Sequence, residues 1–433
     1  MNAEMRKKKL DEIKEKESPY MTGIRISYKG ESIPFEGYKI PLKFLVYNKY
    51  NGRIGSLVKS YEKQNPSIKP DEPNGAKRIE KFLWDSKPAR NEITMKSLVR
   101  DGQKQWGIVT NDGTIIDGNR RAMLLNRIYQ ERKKWEKKEH KVDDAQYFIA
   151  VILPEGADPK EVSRLETTYQ MGEDEKLDYN PIEKYLKCKD LKNTFEFTER
   201  DIAEMMGEKE SQIYEWLEIM ELMDEYLKYL GYDDIYTRLE KREGQFVDLN
   251  RYLKRYENGS KYPDWKYDPK MDVADLKSVC FDYIRAQYEG KEFRYIAQLS
   301  KKEGFFCRGE IWRKFLDNHA SAIEPINESE LTVGELRDEN PGADLTKLLE
   351  ARDNDWKKQV ENKLKNNLYR TLRDNELLNQ ANQPVELLKQ AIQILEKINT
   401  NVDTFYDDEV YGLIKKINSM AWDFQQLIKK NNK

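Results

Sequence analysis

The stretch that decides the fold is residues 111–125, which read Asn-Asp-Gly-Thr-Ile-Ile-Asp-Gly-Asn-Arg-Arg-Ala-Met-Leu-Leu. Its Asn-Asp-Gly segment favours a hairpin turn, and the Ile-Ile pair that follows continues a strand. Gly118 then allows a sharp bend into a helix that carries the apolar Ala-Met-Leu-Leu run. The stretch therefore predicts a strand, a glycine turn and a helix start in immediate succession.

Two arginines, Arg120 and Arg121, fall in the first turn of this predicted helix. Unpaired backbone N–H groups and the positive end of the helix dipole favour a phosphate at such a position, and guanidinium groups add bidentate contacts. The turn and the charges alone also allow an ordinary surface turn with solvated arginines. The pattern favours an anion site at the start of the helix.

Three further segments surround this stretch. Residues 40–53 contain Ile-Pro-Leu and Val-Tyr-Asn-Lys-Tyr-Asn-Gly-Arg, residues 98–109 read Leu-Val-Arg-Asp-Gly-Gln-Lys-Gln-Trp-Gly-Ile-Val, and residues 178–183 read Asp-Tyr-Asn-Pro-Ile-Glu. With the stretch above, they resemble in the same order the motifs of the ParB/sulfiredoxin-like superfamily, in particular the ParB partition proteins, with Trp106 where proline is usual. The resemblance covers roughly residues 37–230.

The resemblance implies a nucleoside triphosphate ligand, with CTP as the nucleotide that the family suggests and Mg²⁺ as its metal. The residues that it implies for nucleotide binding are Asn51, Arg53, Gln105, Gly118, Asn119, Arg120 and Arg121. It also implies association with DNA.

Two positions depart from the family pattern for Mg²⁺. The family's Gly-Glu-Arg-Arg loop has a glutamate where this chain has Asn119, which brings no charge to a metal that prefers carboxylate oxygen. Glu166 is the best candidate for the family's second glutamate, with Lys176 in place of its arginine. An ordinary surface acid on a helix is an equal interpretation of Glu166.

Composition predicts a folded, helix-rich chain. Of 433 residues, 36% are charged and 38% hydrophobic, which is polar for a globular protein, yet 26 tyrosines and 8 tryptophans argue against disorder. The formal net charge of −2 gives no general attraction to nucleic acid.

Several classes are disfavoured. No stretch approaches the roughly 18 consecutive apolar residues of a membrane helix, and the first residues are charged rather than signal-like, so we expect a cytoplasmic protein without a membrane partner. Cys188, Cys280, Cys307, His140 and His319 are widely spaced, which argues against a zinc site or a histidine-based triad.

We predict an α+β fold, with a small mixed-sheet ParB/sulfiredoxin-like domain followed by predominantly α-helical domains. Residues 147–153, Tyr-Phe-Ile-Ala-Val-Ile-Leu, predict a buried strand that completes the sheet. The predicted divisions are a charged lead (1–36), the sheet domain (37–157), a helical helix-turn-helix domain (158–230), a helical middle region (231–330) and a C-terminal helical domain (331–433).

The helix-turn-helix is predicted at residues 198–222, with Thr198 as the cap and Gly207 in the turn. Between Glu199 and Glu225 ten acids stand against Arg200 and Lys209, a net charge of −8. Such a surface repels a duplex, so it predicts a protein partner more readily than major-groove reading.

Positive charge collects between Arg120 and Lys138, where the net charge is +6. The residues that we predict to contact DNA are Arg127, Arg132, Lys133 and Lys134. A solvated helix face is the equal alternative.

The last hundred residues predict helices at about 345–378, 385–398 and 407–430, with a break near Pro384. In the last helix Leu413, Ile417, Met420, Phe424 and Leu427 recur at steps of four and three, the seam of a helical pair. Packing into a C-terminal helical bundle is favoured over a coiled coil of this seam alone. A homodimer through the helical regions is the predicted assembly.

Three functions remain open. The first is a ParB-like, nucleotide-responsive switch or clamp associated with DNA. The second is a ParB-fold enzyme (an NTPase, a kinase-like enzyme or a nuclease) of a mobile-element or phage-defence system. Its catalytic residues would be Asp117 and Glu166, and its candidate metal ligands Asp117, Glu166 and Asp178. The third is a protein-interaction adaptor with a vestigial nucleotide loop.

Overall fold

The computed structural model describes residues 1–172, 179–287, 290–300 and 303–431. It divides into two compact units, Met1–Asn367 and Leu368–Lys433. The predicted metal ligand Asp178 and the predicted arginine substitute Lys176 lie outside the described residues.

The first unit contains a mixed sheet of five strands. The strands are β1 (Met21–Tyr28), β2 (Glu31–Pro41), β3 (Gly107–Val109), β4 (Ile115–Asp117) and β5 (Tyr147–Ile152). Their order across the sheet is β1-β2-β5-β3-β4, and β5 pairs in parallel with β3 while the other three pairings are antiparallel. The α+β class predicted from the sequence is confirmed.

The predicted strand at 147–153 forms as β5, and it lies at the centre of the sheet. Phe148, Ala150 and Ile152 pack into one apolar cluster, whereas Val151 and Leu153 pack into a cluster on the opposite face. Both faces of the strand are therefore covered, which explains its uninterrupted apolar run.

The sheet also begins earlier than the predicted division at residue 37, because β1 and the first part of β2 precede it. The charged lead forms helix α1 (Ala3–Lys16), in which Arg6, Leu10 and Ile13 are buried. Arg6 donates from Nε to the carbonyl oxygen of Asp112 at 2.8 Å, so the helix is tied to the β3–β4 turn. Three buried positions in a Lys/Glu-rich segment are enough to fix it on the domain.

Helices fill the rest of the first unit. In chain order they are α2 (Gly55–Glu62), α3 (Pro73–Ser86), α4 (Pro88–Asp101), α5 (Asn119–Gln130), α6 (Arg132–Glu136), α7 (Pro159–Thr167), α8 (Pro181–Asn193), α9 (Glu199–Met206), α10 (Glu210–Tyr229), α11 (Glu243–Glu257), α12 (Met271–Ala286), α13 (Phe293–Ala297), α14 (Gly309–Ser329) and α15 (Val333–Glu339).

The predicted pair of helices at 198–222 corresponds to α9 and α10. Thr198 caps α9 through a reciprocal capping box with Asp201, and Gly207 ends the helix in the left-handed region at φ 59°. Two residues, Glu208 and Lys209, then lead into α10. The threonine cap and the glycine therefore define the two ends of α9, as the sequence predicts.

Two last helices follow, α16 (Leu345–Leu395) and α17 (Asp408–Asn431). The expected break at Pro384 is absent, since α16 continues through this residue. In the second unit the seam residues of α17 are exposed, with exposed fractions of 43% to 59%. Within the described part of the chain, no helix is both long and apolar enough to cross a membrane.

Candidate functional site

The anion loop has the local structure that its sequence predicts. Strand β4 ends at Asp117, Gly118 adopts φ 95° and ψ 15°, and α5 begins at Asn119. A Cβ added to Gly118 would lie 2.5 Å from Cζ of Phe148, on the central strand. The left-handed backbone and this close approach both require glycine. Gly118 provides no side-chain cap for α5, and the start of a helix is a position that favours an anion.

This loop forms one wall of a cavity of about 310 Å³. The residues that line it are Asn51, Arg53, Arg90, Thr94, Gln105, Trp106, Asp117, Gly118, Asn119, Arg120, Arg121, Tyr169 and Gln170. All seven residues predicted to bind nucleotide are among them, although they come from three separate segments of the sequence. Four guanidinium groups and one carboxylate give this lining a formal charge of +3. The cavity is therefore suited to an anion of several charges.

Arg121 is held by groups of the protein itself. Its Nη2 lies 2.8 Å from Oδ2 of Asp117, and its Nη1 donates to the carbonyl and side-chain oxygens of Gln105 at 3.1 and 3.0 Å. The contact between Arg121 and Asp117 is a salt bridge, so this predicted catalytic acid is paired with a cation. Arg121 thus fixes the strand ends that surround the loop.

The second wall of the cavity is the segment from Asn51 to Arg53. Asn51 donates from Nδ2 to Oε1 of Gln170 at 3.1 Å, and its Oδ1 accepts from the backbone N–H of Arg53 at 3.0 Å. The guanidinium of Arg53 lies 4.8 Å from the ring centroid of Tyr179. This segment is therefore pre-organised by buried polar contacts.

Two buried carboxylates from the helical part of the unit hold this segment and the start of α2. Glu166 is 2% exposed, accepts from the N–H of Gly52 at 2.8 Å and forms an ion pair with Lys187 at 2.8 Å. Glu183 accepts from the backbone N–H of Ser56 at 3.2 Å, and burial raises its pKa to about 7. Glu166 lies beside the cavity wall and is not part of the cavity lining.

These contacts bear on the Mg²⁺ that the family resemblance implies. Asn119 is 1% exposed, accepts from the N–H of Asn48 and donates to the carbonyl oxygen of Ile115, both at 2.9 Å. Glu166 is neutralised by Lys187, and Asp117 by Arg121. No group of three or more metal-binding side chains occurs among the described residues. The described residues do not fit a divalent cation site.

The basic segment predicted to contact DNA is divided at Glu131 between α5 and α6. Arg127 is half-buried, with its guanidinium 3.7 Å from the ring centroid of Trp84. Arg132, Lys133 and Lys134 are exposed on α6. Lys134 pairs with Glu131 at 2.8 Å. Three of the four predicted residues therefore share an exposed basic surface around the buried Trp135.

The acidity of α9 and α10 is partly offset by neighbouring helices. Their acids form ion pairs with lysines of α8, α11 and α12: Glu199 with Lys192, Asp224 with Lys189, Glu218 with Lys254 and Glu225 with Lys277. Part of the negative charge counted from the sequence is thus used to pack helices.

Five cavity residues were not predicted: Arg90, Thr94, Trp106, Tyr169 and Gln170. Arg90 and Thr94 lie four residues apart on α4, so they share a helix face. Tyr169 and Gln170 belong to a π-helical turn at Thr168–Gly172. A π-helical turn within a helix often marks a functional site, but sequence alone does not reveal one.

No family model matches this sequence, and no curated protein matches it. Among solved structures, the C-terminally truncated chromosome-partitioning protein ParB from Caulobacter crescentus, complexed with CTP-γ-S, is similar to this chain at 16% identity. The match covers 56% of this chain and 98% of that chain, with a TM-score of 0.19. A TM-score of this size does not establish a shared fold.

Proposed function

We propose that this protein is a ParB-like, nucleoside-triphosphate-binding switch that associates with DNA. One observation carries the proposal: the seven residues that the sequence resemblance implies for nucleotide binding line a single cavity of net charge +3. The cavity includes the N-terminus of α5, where backbone N–H groups and the helix dipole add to the positive field. CTP is the nucleotide that the resemblance implies.

The binding role is favoured over the enzymatic role. Asp117 and Glu166, the two predicted catalytic acids, are both held in ion pairs. A general acid or base needs a proton-transfer path to substrate. We infer from these ion pairs that the two acids position the cavity walls.

The basic surface of Arg132, Lys133 and Lys134 is the proposed DNA contact. It supplies phosphate neutralisation without base reading, so affinity should fall steeply with salt. The cavity includes the start of α5 and the proposed DNA contact lies on α6, and these two helices follow each other directly in the chain.

The proposal is tested by calorimetric titration of the full chain with CTP, ATP and GTP in the presence of Mg²⁺. We expect Arg120→Ala to weaken binding by about 10- to 100-fold, the loss of one or two charge-assisted hydrogen bonds. Arg100→Ala removes the same charge outside the cavity, since Arg100 is exposed and paired with Asp101, and should leave affinity unchanged.

Phosphate release and DNA binding complete the test. A switch binds nucleotide without needing turnover, and its DNA affinity, measured by anisotropy of a labelled duplex, changes when nucleotide is added. Turnover that is lost in Asp117→Asn and Glu166→Gln would instead support the enzyme. Absence of binding to all three nucleotides would refute the switch.

A further inference from the structure

The cavity has an aromatic wall as well as a cationic one. Trp106 and Tyr169 both line it, and their rings meet edge to face with centroids 5.7 Å apart and an interplanar angle of 64°. Trp106 is half-buried and packs against the apolar cluster under β3 and β4, which fixes the position of the indole. An anion with an attached planar ring matches both walls.

Three of the four amide side chains that line the cavity are buried and hydrogen-bonded within the protein. Asn119 makes two hydrogen bonds to backbone groups at 2.9 Å, and it is 1% exposed. Asn51 and Gln170 bond to each other at 3.1 Å and are 1% and 3% exposed. Gln170 also donates to a backbone carbonyl at 3.0 Å and accepts from Tyr179 at 2.9 Å. These three amides are therefore poorly placed to discriminate bases by hydrogen bonding. The fourth amide of the lining, Gln105, is exposed, and its Oε1 accepts from Arg121 at 3.0 Å.

We propose that Trp106, supported by Tyr169, stacks on the nucleobase, and that this cavity selects a nucleoside triphosphate by stacking rather than by the identity of the base. The inference rests on the proposed nucleotide-binding function. Every base offers a ring face, and a purine covers more of the indole than a pyrimidine does. Purine triphosphates accordingly bind at least as tightly as CTP, in contrast to the preference that the family resemblance implies.

The experiment compares ATP, GTP, CTP, UTP and inorganic tripolyphosphate by calorimetry on the full chain. The affinity for tripolyphosphate measures the contribution of the cationic wall alone, and the affinity for a nucleotide measures the contributions of both walls. We expect Trp106→Ala to weaken each nucleotide about tenfold and to leave tripolyphosphate within about twofold, since stacking contributes only when a base is present. Trp106→Phe keeps a ring and should retain most of the affinity, while the nucleotide-dependent change in tryptophan fluorescence disappears.

Trp84→Ala is the matched control. Trp84 is also half-buried, but it lies under the guanidinium of Arg127 and outside the cavity lining. Equal affinities in this variant and the wild type show that loss of an indole elsewhere is harmless.

The outcomes separate the two proposals. Tripolyphosphate binding that depends on Arg120, together with nucleotide affinities that Trp106→Ala does not lower, overturns the stacking inference and leaves the nucleotide site intact. A preference of tenfold or more for CTP over ATP and GTP overturns it as well. If neither tripolyphosphate nor any nucleotide binds the wild type, the proposed function itself fails.

Discussion

Gly118→Ala gives a quantitative test of how the anion loop is built. Two separate costs apply at this position: the backbone has φ 95°, and the new Cβ would lie 2.5 Å from Cζ of Phe148. A left-handed conformation costs a non-glycine residue about 1–2 kcal/mol, and overpacking a core costs about 1–3 kcal/mol. We therefore expect Gly118→Ala to lower the free energy of unfolding by about 2–5 kcal/mol.

Gly156→Ala separates the two costs. Gly156 has nearly the same backbone conformation, φ 88°, but an added Cβ would meet no atom within 4 Å. It should show the conformational cost alone, about 1–2 kcal/mol. Shortening the aromatic side chain in the Gly118→Ala background, with Phe148→Leu, should recover part of the difference, because it removes the ring atom that the methyl group meets.

The assay is urea unfolding of the full chain followed by circular dichroism, with tripolyphosphate affinity measured on the same variants. Equal destabilisation by Gly118→Ala and Gly156→Ala would show that the ring of Phe148 does not constrain the loop. Unchanged tripolyphosphate affinity in a folded Gly118→Ala variant would refute the assignment of the loop as the anion site.

Three further perturbations test other parts of the molecule. Burial raises the pKa of Glu183 from its ordinary 4.5 to about 7, so the folded state binds the proton more tightly than the unfolded state does. The free energy of unfolding of the wild type should therefore fall by at most about 3 kcal/mol as the pH rises from about 4.5 to 7. In urea unfolding, Glu183→Gln should lose this pH dependence. Lys187→Met leaves Glu166 buried without its cation and should lower the free energy of unfolding by about 3–5 kcal/mol in the same assay. The double variant Lys187→Met/Glu166→Gln should be destabilised less, and equal destabilisation of the two variants would argue against the ion pair. Met420→Glu places a charge in the middle of the α17 seam and should abolish self-association, measured by sedimentation velocity. Ile93→Glu changes an exposed apolar residue of α4 and should leave self-association intact. A monomeric wild type would refute the homodimer.

The anion loop could be predicted from sequence because its signals are local. A turn, a glycine with positive φ and the start of a helix all depend on residues within one short stretch, and residues 111–125 contain them all. The apolar run at 147–153 predicted a strand for the same reason. Its central place in the sheet agrees with burial on both faces, which an uninterrupted apolar run indicates.

The rest depends on contacts between distant segments. Arg90 and Thr94 face the cavity only because α4 packs beside α5, and neither carries a motif. The role of Glu166 depends on Lys187, 21 residues further along the chain, whose ammonium group satisfies the carboxylate in the folded state. The continuation of α16 through Pro384 overrides a strong local signal. A sequence can supply candidate charges, but only packing determines which of them face a ligand and which face each other.

Helix α8 gives the proposed switch a physical route from the nucleotide to the α9–α10 pair. At its N-terminal end Glu183 holds the start of α2, next to the Asn51–Arg53 wall of the cavity. One turn later Lys187 neutralises the carboxylate that binds Gly52. Two residues beyond, Lys189 pairs with Asp224 of α10 at 2.6 Å. A ligand that moves Arg53 therefore acts on a helix that contacts the cavity wall and α10, because packed helices transmit displacement between discrete arrangements. If this route operates, Lys189→Met should leave nucleotide affinity unchanged but remove the effect of nucleotide on the hydrogen exchange of backbone amides in α9 and α10, which separates transmission from binding.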